Sequence, residues 1–173
     1  MYEDGAQINS SGDAVGGQLY LEDCVVGRRF YSTTHSLDTE QVKAFALQFD
    51  PQSFHTDETR AQASYFKGLV ASGWHTAAIT MSLLVNSGMP IAGGLIGAAV
   101  ELTWPRPTRP EDTLAVESEV LAVRPSGSKP ERGTITLRSV TRNQLGEVVQ
   151  EMTSKLLVWK RPGSPANSQL PAT

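Results

Sequence analysis

The 173-residue chain predicts an α+β domain: a curved antiparallel sheet wrapped around one central buried helix. Three observations carry this. One strand-like segment precedes a group of helical segments, and at least four long strand-like segments follow, a segregation typical of α+β folds with antiparallel sheets. From Gly73, the residues Trp74, Ala77, Ala78, Met81, Leu84 and Val85 recur at helical spacing, and Ile79 and Leu83 widen the face. Only His75, Thr76, Thr80 and Ser82 are polar there, and a helix apolar nearly all round belongs in a core. Finally, Leu114, Val116, Val120 and Ala122 alternate with Glu117 and Glu119 on the opposite side. A sheet that covers such a helix has to curl, and its open edges need pairing, which an edge-strand dimer supplies.

The elements follow in order. Residues 1–17 are rich in Gly, Ser, Asp and Asn and read as a disordered tail, as does the Pro/Ser/Ala-rich segment 162–173, leaving one folded domain over 18–161. Leu19 to Val26 reads as a short strand or a turn, and Arg29 to Leu37 as a strand. Asp38 caps a helix, with Gln41 at capping-box spacing. Val42, Phe45, Ala46 and Phe49 give its apolar stripe, and Pro51 ends it at Asp50. Asp57 caps a short helix over 58–64, and the apolar helix from Gly73 stops near Asn86-Ser87-Gly88. Strands are expected over 94–104, 113–123, 133–142 and 147–160; the last puts Val148, Met152, Leu156 and Val158 in one register. Prolines 105, 107 and 110 break the chain after the first of these.

A net charge of −3 gives no footprint for nucleic acid or an anionic membrane. Cys24, the single cysteine, rules out an intramolecular disulfide and thiolate zinc clusters, and with Arg28 as its nearest basic neighbour it reads as structural. No apolar run reaches membrane-spanning length, and the N-terminus lacks a basic region followed by an apolar one, so a cytoplasmic protein is expected.

The chemistry concentrates between Phe49 and Ile79, which hold His55 and His75, two of three histidines. Asp50 and His55 form a possible proton-transfer pair, and Gly73 opens a helix whose first N–H groups are free to bind an oxyanion. The plainer roles are loop polar groups for Asp50 and His55, and close packing against the sheet for Gly73. His75 reads as a helix histidine with a local hydrogen bond.

The run Asp50-Pro51-Gln52-Ser53-Phe54-His55, the helix opening Val70-Ala71-Ser72-Gly73-Trp74, and the segment from Trp104 to Leu114 with its prolines and arginines occur in one order. Together with the Arg29 to Leu37 strand, this set resembles the MaoC-like hydratases and dehydratases of the hotdog fold, over roughly Leu19 to Trp159. The (R)-specific enoyl-CoA hydratase motif has Asn-Pro where this chain has Gln52-Ser53, while Pro51 directly after the aspartate is familiar from other MaoC-like members. The resemblance implies a homodimeric lyase that adds water reversibly to a 2-enoyl-CoA, with no metal or redox cofactor. It implies His55 as base, Asp50 as the group that orients the water and passes the proton, and the Gly73 N–H as oxyanion donor. At a helix C-terminus the dipole disfavours the charged form of Asp50, which would help it act as an acid. Phe54, Ser72 and Trp74 are expected beside the substrate. Arg106, Lys129 and Arg132 are candidate contacts for coenzyme A phosphates, as is Arg109, with solvent-facing charge as their plainer role. Two other readings share this architecture: an acyl-CoA thioesterase, and a non-catalytic acyl-thioester-binding protein.

Overall fold

The computed structural model describes residues 17–164; the expected tails, apart from Gly17 and residues 162–164, lie outside them. Five strands form one antiparallel sheet in the order β1-β3-β4-β5-β2, with β1 at Arg29–Ser36, β2 at Ile96–Thr103, β3 at Thr113–Pro125, β4 at Arg132–Arg142 and β5 at Val148–Trp159. Four helices lie between β1 and β2: α1 (Thr39–Phe49), α2 (Ser53–Thr56), α3 (Glu58–Ala63) and α4 (Gly73–Leu83). Leu19 to Val26 resolves into a single 3-10 turn at Leu21–Asp23 and an isolated bridge from Leu19 to Ile91.

Local chemistry explains the helix boundaries. The Asp38 carboxylate accepts from Gln41 N at 2.7 Å, so the cap forms. The reciprocal capping-box bond is absent, because Gln41 Oε1 accepts from His35 Nε2 at 3.2 Å. Asp50 takes the C-cap position of α1, where Pro51 ends helical geometry. Asp57 caps α3 by accepting from Arg60 N at 2.9 Å. α4 does not stop at once but passes into a π-helical turn over Leu84–Gly88, closed by Met89 N donating to Leu84 O at 2.9 Å.

The core lies between α4 and the concave face of the sheet. Leu114, Val116 and Val120 on β3, Ile135 and Leu137 on β4, and Met152, Leu156 and Val158 on β5 all point inward, as their alternation requires. The orientation of α4 differs from the reading of its apolar stripe. Its buried residues are His75, Thr76, Ile79, Thr80 and Leu83, while Trp74, Met81 and Val85 are exposed. Buried hydroxyls are tolerated because they find partners. Thr76 Oγ1 donates to Thr108 Oγ1 at 2.9 Å, and Thr80 Oγ1 meets Thr141 Oγ1 at 2.7 Å and accepts from Gln150 Nε2 at 3.0 Å. The apolar stripe turns instead toward the open edge at β2, itself exposed along nearly all its length. Val100 is 59% exposed there and Trp74 60%. In an isolated chain this face is uncovered.

Candidate active site

Four elements converge on Asp50. The end of α1 supplies Asp50 itself, α2 supplies His55, the segment before α4 supplies Ser72, and Gly73 begins α4. His55 is 5% exposed. Its Nδ1 lies 2.7 Å from the Val70 carbonyl, and since a carbonyl only accepts, Nδ1 carries the hydrogen. The other nitrogen, Nε2, faces Asp50 Oδ2 at 3.3 Å. Phe54 packs edge-on against the His55 ring at 4.5 Å and holds it in this plane.

Asp50 is ionised. Burial works against its charge, but hydrogen bonds from Ser72 and Gln52 hold its carboxyl below the ordinary carboxylate range, and a proton on His55, when the ring carries one, adds to them. Ser72 Oγ donates to Oδ2 at 2.7 Å, and Gln52 Nε2 donates to Oδ1 at 2.8 Å. The helix-end position is as read from sequence, but the expected dipole-driven shift is reversed by these donors. With His55 neutral, a lone pair on Nε2 and a carboxylate oxygen face one another. Two acceptors at that distance are best satisfied by a shared proton donor such as water.

Ser72 also accepts from Trp74 N at 3.2 Å and so caps α4 while touching the acid. The next residue, Gly73, is the first of α4 and has no carbonyl one turn back to bond. A Cβ on Gly73 would lie 2.8 Å from Trp104 Cε2, so close packing dictates the glycine. Trp104 is anchored in turn: its Nε1 donates to Gln150 Oε1 at 2.9 Å. Trp74 meets Trp104 edge to face at 5.6 Å, on the exposed side of Gly73. Replacing Ser72 with Ala is expected to raise the Asp50 pKa, shift the acid limb of any pH–rate profile upward, and cut kcat by about tenfold or more. A pH series on the variant measures it.

The cations fall elsewhere. Arg106 Nε lies 3.5 Å from Glu147 Oε1. Arg109 donates to Phe66 O at 2.8 Å and so fastens the loop behind His55. Lys129 and Arg132 sit at the other end of the sheet: Arg132 pairs with Trp159, whereas Thr141 pairs with Gln150 beside the site. Those nine residues of β4 separate them by about 30 Å. The structure therefore does not bring Lys129 and Arg132 to the Asp50 of their own chain. Among the described residues no group of three or more His, Cys, Asp or Glu is placed to hold a metal ion.

His75 stacks on Phe45 with ring centroids 4.5 Å apart, and its buried Nδ1 has no partner. Burial first, then the charge of His35, pushes its pKa from 6.5 to about 4. The unfolded ring takes a proton near 6.5 and the folded ring refuses it until about 4, so this contribution is complete above 6.5 and is lost as pH falls toward 4. His75→Phe is expected to remove about 1–2 kcal/mol of the stability lost between neutral pH and about pH 5. Urea midpoints of both proteins at the two pH values measure the difference.

Sequence reasoning missed Gln52 as a donor to Asp50, the Val70 carbonyl, and Gln150. Gln150 had a signal: an amide at an inward position of a strand that otherwise buries apolar side chains. The Val70 carbonyl had none.

An apolar cavity of about 380 Å³ opens along α4, between Ala77 and Met81 on the helix, Leu84 on the π-helical turn that follows, and residues of β2, β4 and β5.

The profile of the MaoC like domain matches residues 24–143. An uncharacterized protein of Bacillus subtilis (strain 168), YdeM, is 33% identical over 129 residues, covering 73% of this chain and 89% of that protein. The crystal structure of a MaoC-like dehydratase from Rhodospirillum rubrum is 58% identical and superimposes with a TM-score of 0.82, covering 83% of this chain and 99% of that one. The R-hydratase PhaJ1 of Pseudomonas aeruginosa, at 24% identity and a TM-score of 0.67 over 90% of this chain and 96% of its own, shares the fold. The sheet wrapped on its central helix is a hotdog fold, and the chain belongs to the MaoC-like domain family.

Proposed function

We propose that this chain is a hydro-lyase that adds water reversibly to a 2-enoyl-CoA to give a 3-hydroxyacyl-CoA. The observation that carries this is the geometry of His55, with Nδ1–H committed to Val70 O and Nε2 left to face an ionised Asp50 at 3.3 Å. A water held between Nε2 and Oδ2 gives its proton to Nε2 as its oxygen bonds the β-carbon. The π electrons move onto the thioester oxygen, opposite the Gly73 N–H at the positive end of α4. The proton on Nε2 then passes to the α-carbon on the same face, which makes the addition syn. Dehydration retraces these steps.

The α4 cavity is the seat of the acyl chain in this reading, because the helix that begins at Gly73 also lines it with Ala77 and Met81. A homodimer built through β2 and the outward stripe of α4 would cover the exposed Trp74, Val85 and Val100. Val100→Glu is accordingly expected to weaken self-association at least tenfold, read by sedimentation equilibrium.

The reading is tested by mixing the protein with crotonyl-CoA and longer 2-enoyl-CoA esters. Loss of enoyl absorbance without thiol release supports it, and thiol release from saturated acyl-CoA would favour a thioesterase.

A further inference from the structure

The protein pairs its buried hydroxyls with care. Ser118 meets Ser139 at 2.8 Å, Thr76 meets Thr108 at 2.9 Å, and Thr80 meets Thr141 at 2.7 Å. Ser154 breaks this habit. It is 5% exposed, yet its Oγ has no hydrogen-bond partner. Glu22 and His75 also hold a buried atom without a partner, but of the three only Ser154 lines the α4 cavity.

Its surroundings are otherwise apolar. On β5 it lies between Met152 and Leu156 on the inward face, opposite Val100 on β2 and Leu137 on β4, and all four line the same cavity. A serine here gains nothing from burial, since a lone hydroxyl in apolar surroundings forfeits its bonds to water. Alanine would fit the same space at less cost. The arrangement makes sense when the cavity's occupant brings the missing partner.

We infer that Ser154 is a specificity-determining residue that selects acyl chains carrying an oxygen substituent, a hydroxyl or a keto group, over plain hydrocarbon chains. This rests on the reading of the α4 cavity as the acyl seat. The oxygen belongs well beyond the double bond. Gln150, which anchors the Trp104 that packs on Gly73, is four residues away along β5, or about 13 Å. A hydroxyl serves as donor to a keto oxygen and as either partner to a hydroxyl. A site built to hydrogen-bond such a group discriminates against the analogue that lacks it, because its own polar atom is then left unpaired.

The test compares trans-2-tetradecenoyl-CoA with a panel of the same ester bearing a hydroxyl or keto group at each position of its distal half. Binding is measured by calorimetry on the intact protein and on Ser154→Ala, with turnover followed in parallel. The expected result is at least tenfold tighter binding of one oxygenated ester than of the plain ester by the wild type. In Ser154→Ala that preference falls to within about twofold, while plain-ester affinity is unchanged or improved. A wild type that binds the plain ester as tightly as every oxygenated one, or a variant that loses both equally, overturns the assignment. Failure of the hydratase reading appears separately, as absent turnover of every ester, and leaves the calorimetric comparison to decide Ser154.

Discussion

Asp50→Asn and His55→Gln are each expected to lower kcat for enoyl-CoA hydration by about 10²–10⁴-fold while leaving the fold intact. His55→Gln removes the ring acceptor of the pair that faces one another at 3.3 Å, and Asp50→Asn removes the charge of its partner. In Asp50→Asn the side chain keeps an oxygen to accept from Ser72, so α4 remains tied, but the charge that orients the water is gone. In His55→Gln no ring nitrogen remains to take the proton. Because the two act on one water, the double variant should be little worse than either single one. Steady-state kinetics, with circular dichroism as a control for folding, measures all three. Wild-type rates in both single variants would remove Asp50 and His55 from the chemistry.

Gly73→Ala is expected to lower kcat by about 10²–10³-fold. The added Cβ would sit 2.8 Å from Trp104 Cε2 and 3.0 Å from its Cδ2, distances real side chains do not keep. The indole cannot simply retreat, since its Nε1 is bound to Gln150, itself bound to Thr80 in the core. The start of α4 has to yield, and with it the N–H that the proposed reaction sets opposite the thioester oxygen. Overpacking of this kind also costs about 1–3 kcal/mol of stability. Adding Trp104→Ala to Gly73→Ala frees the space and should return part of the lost rate, a recovery that a purely chemical role for glycine would not give. Kinetics and thermal melts on the single and double variants separate the two.

Much of this frame was legible in the sequence where local rules act alone. Asp38 and Asp57 cap their helices, Pro51 ends α1 at Asp50, and the inward register of β3 and β5 follows their alternation. The surroundings of the candidate site were less legible, because tertiary partners decide them. Thr76 and Thr80 stand in the sequence only as the few polar positions of an apolar helix, and their pairing with Thr108, Thr141 and Gln150 is what turns α4 over. The Asp50 charge is set by Ser72, twenty-two positions away in sequence, against the local helix dipole that a linear reading weighs. Lys129 and Arg132 share a basic loop, but strand length alone carries that loop to the far end of the sheet.

In the proposed reaction the Asp50–His55 pair activates water toward the β-carbon and not toward the carbonyl carbon of the thioester. Reaction of a 2-enoyl-CoA in water enriched in oxygen-18, followed by mass spectrometry of the products, tests it directly. One heavy oxygen in the 3-hydroxyl of an intact acyl-CoA is expected. Heavy oxygen in a free carboxylate, with coenzyme A released, would contradict it.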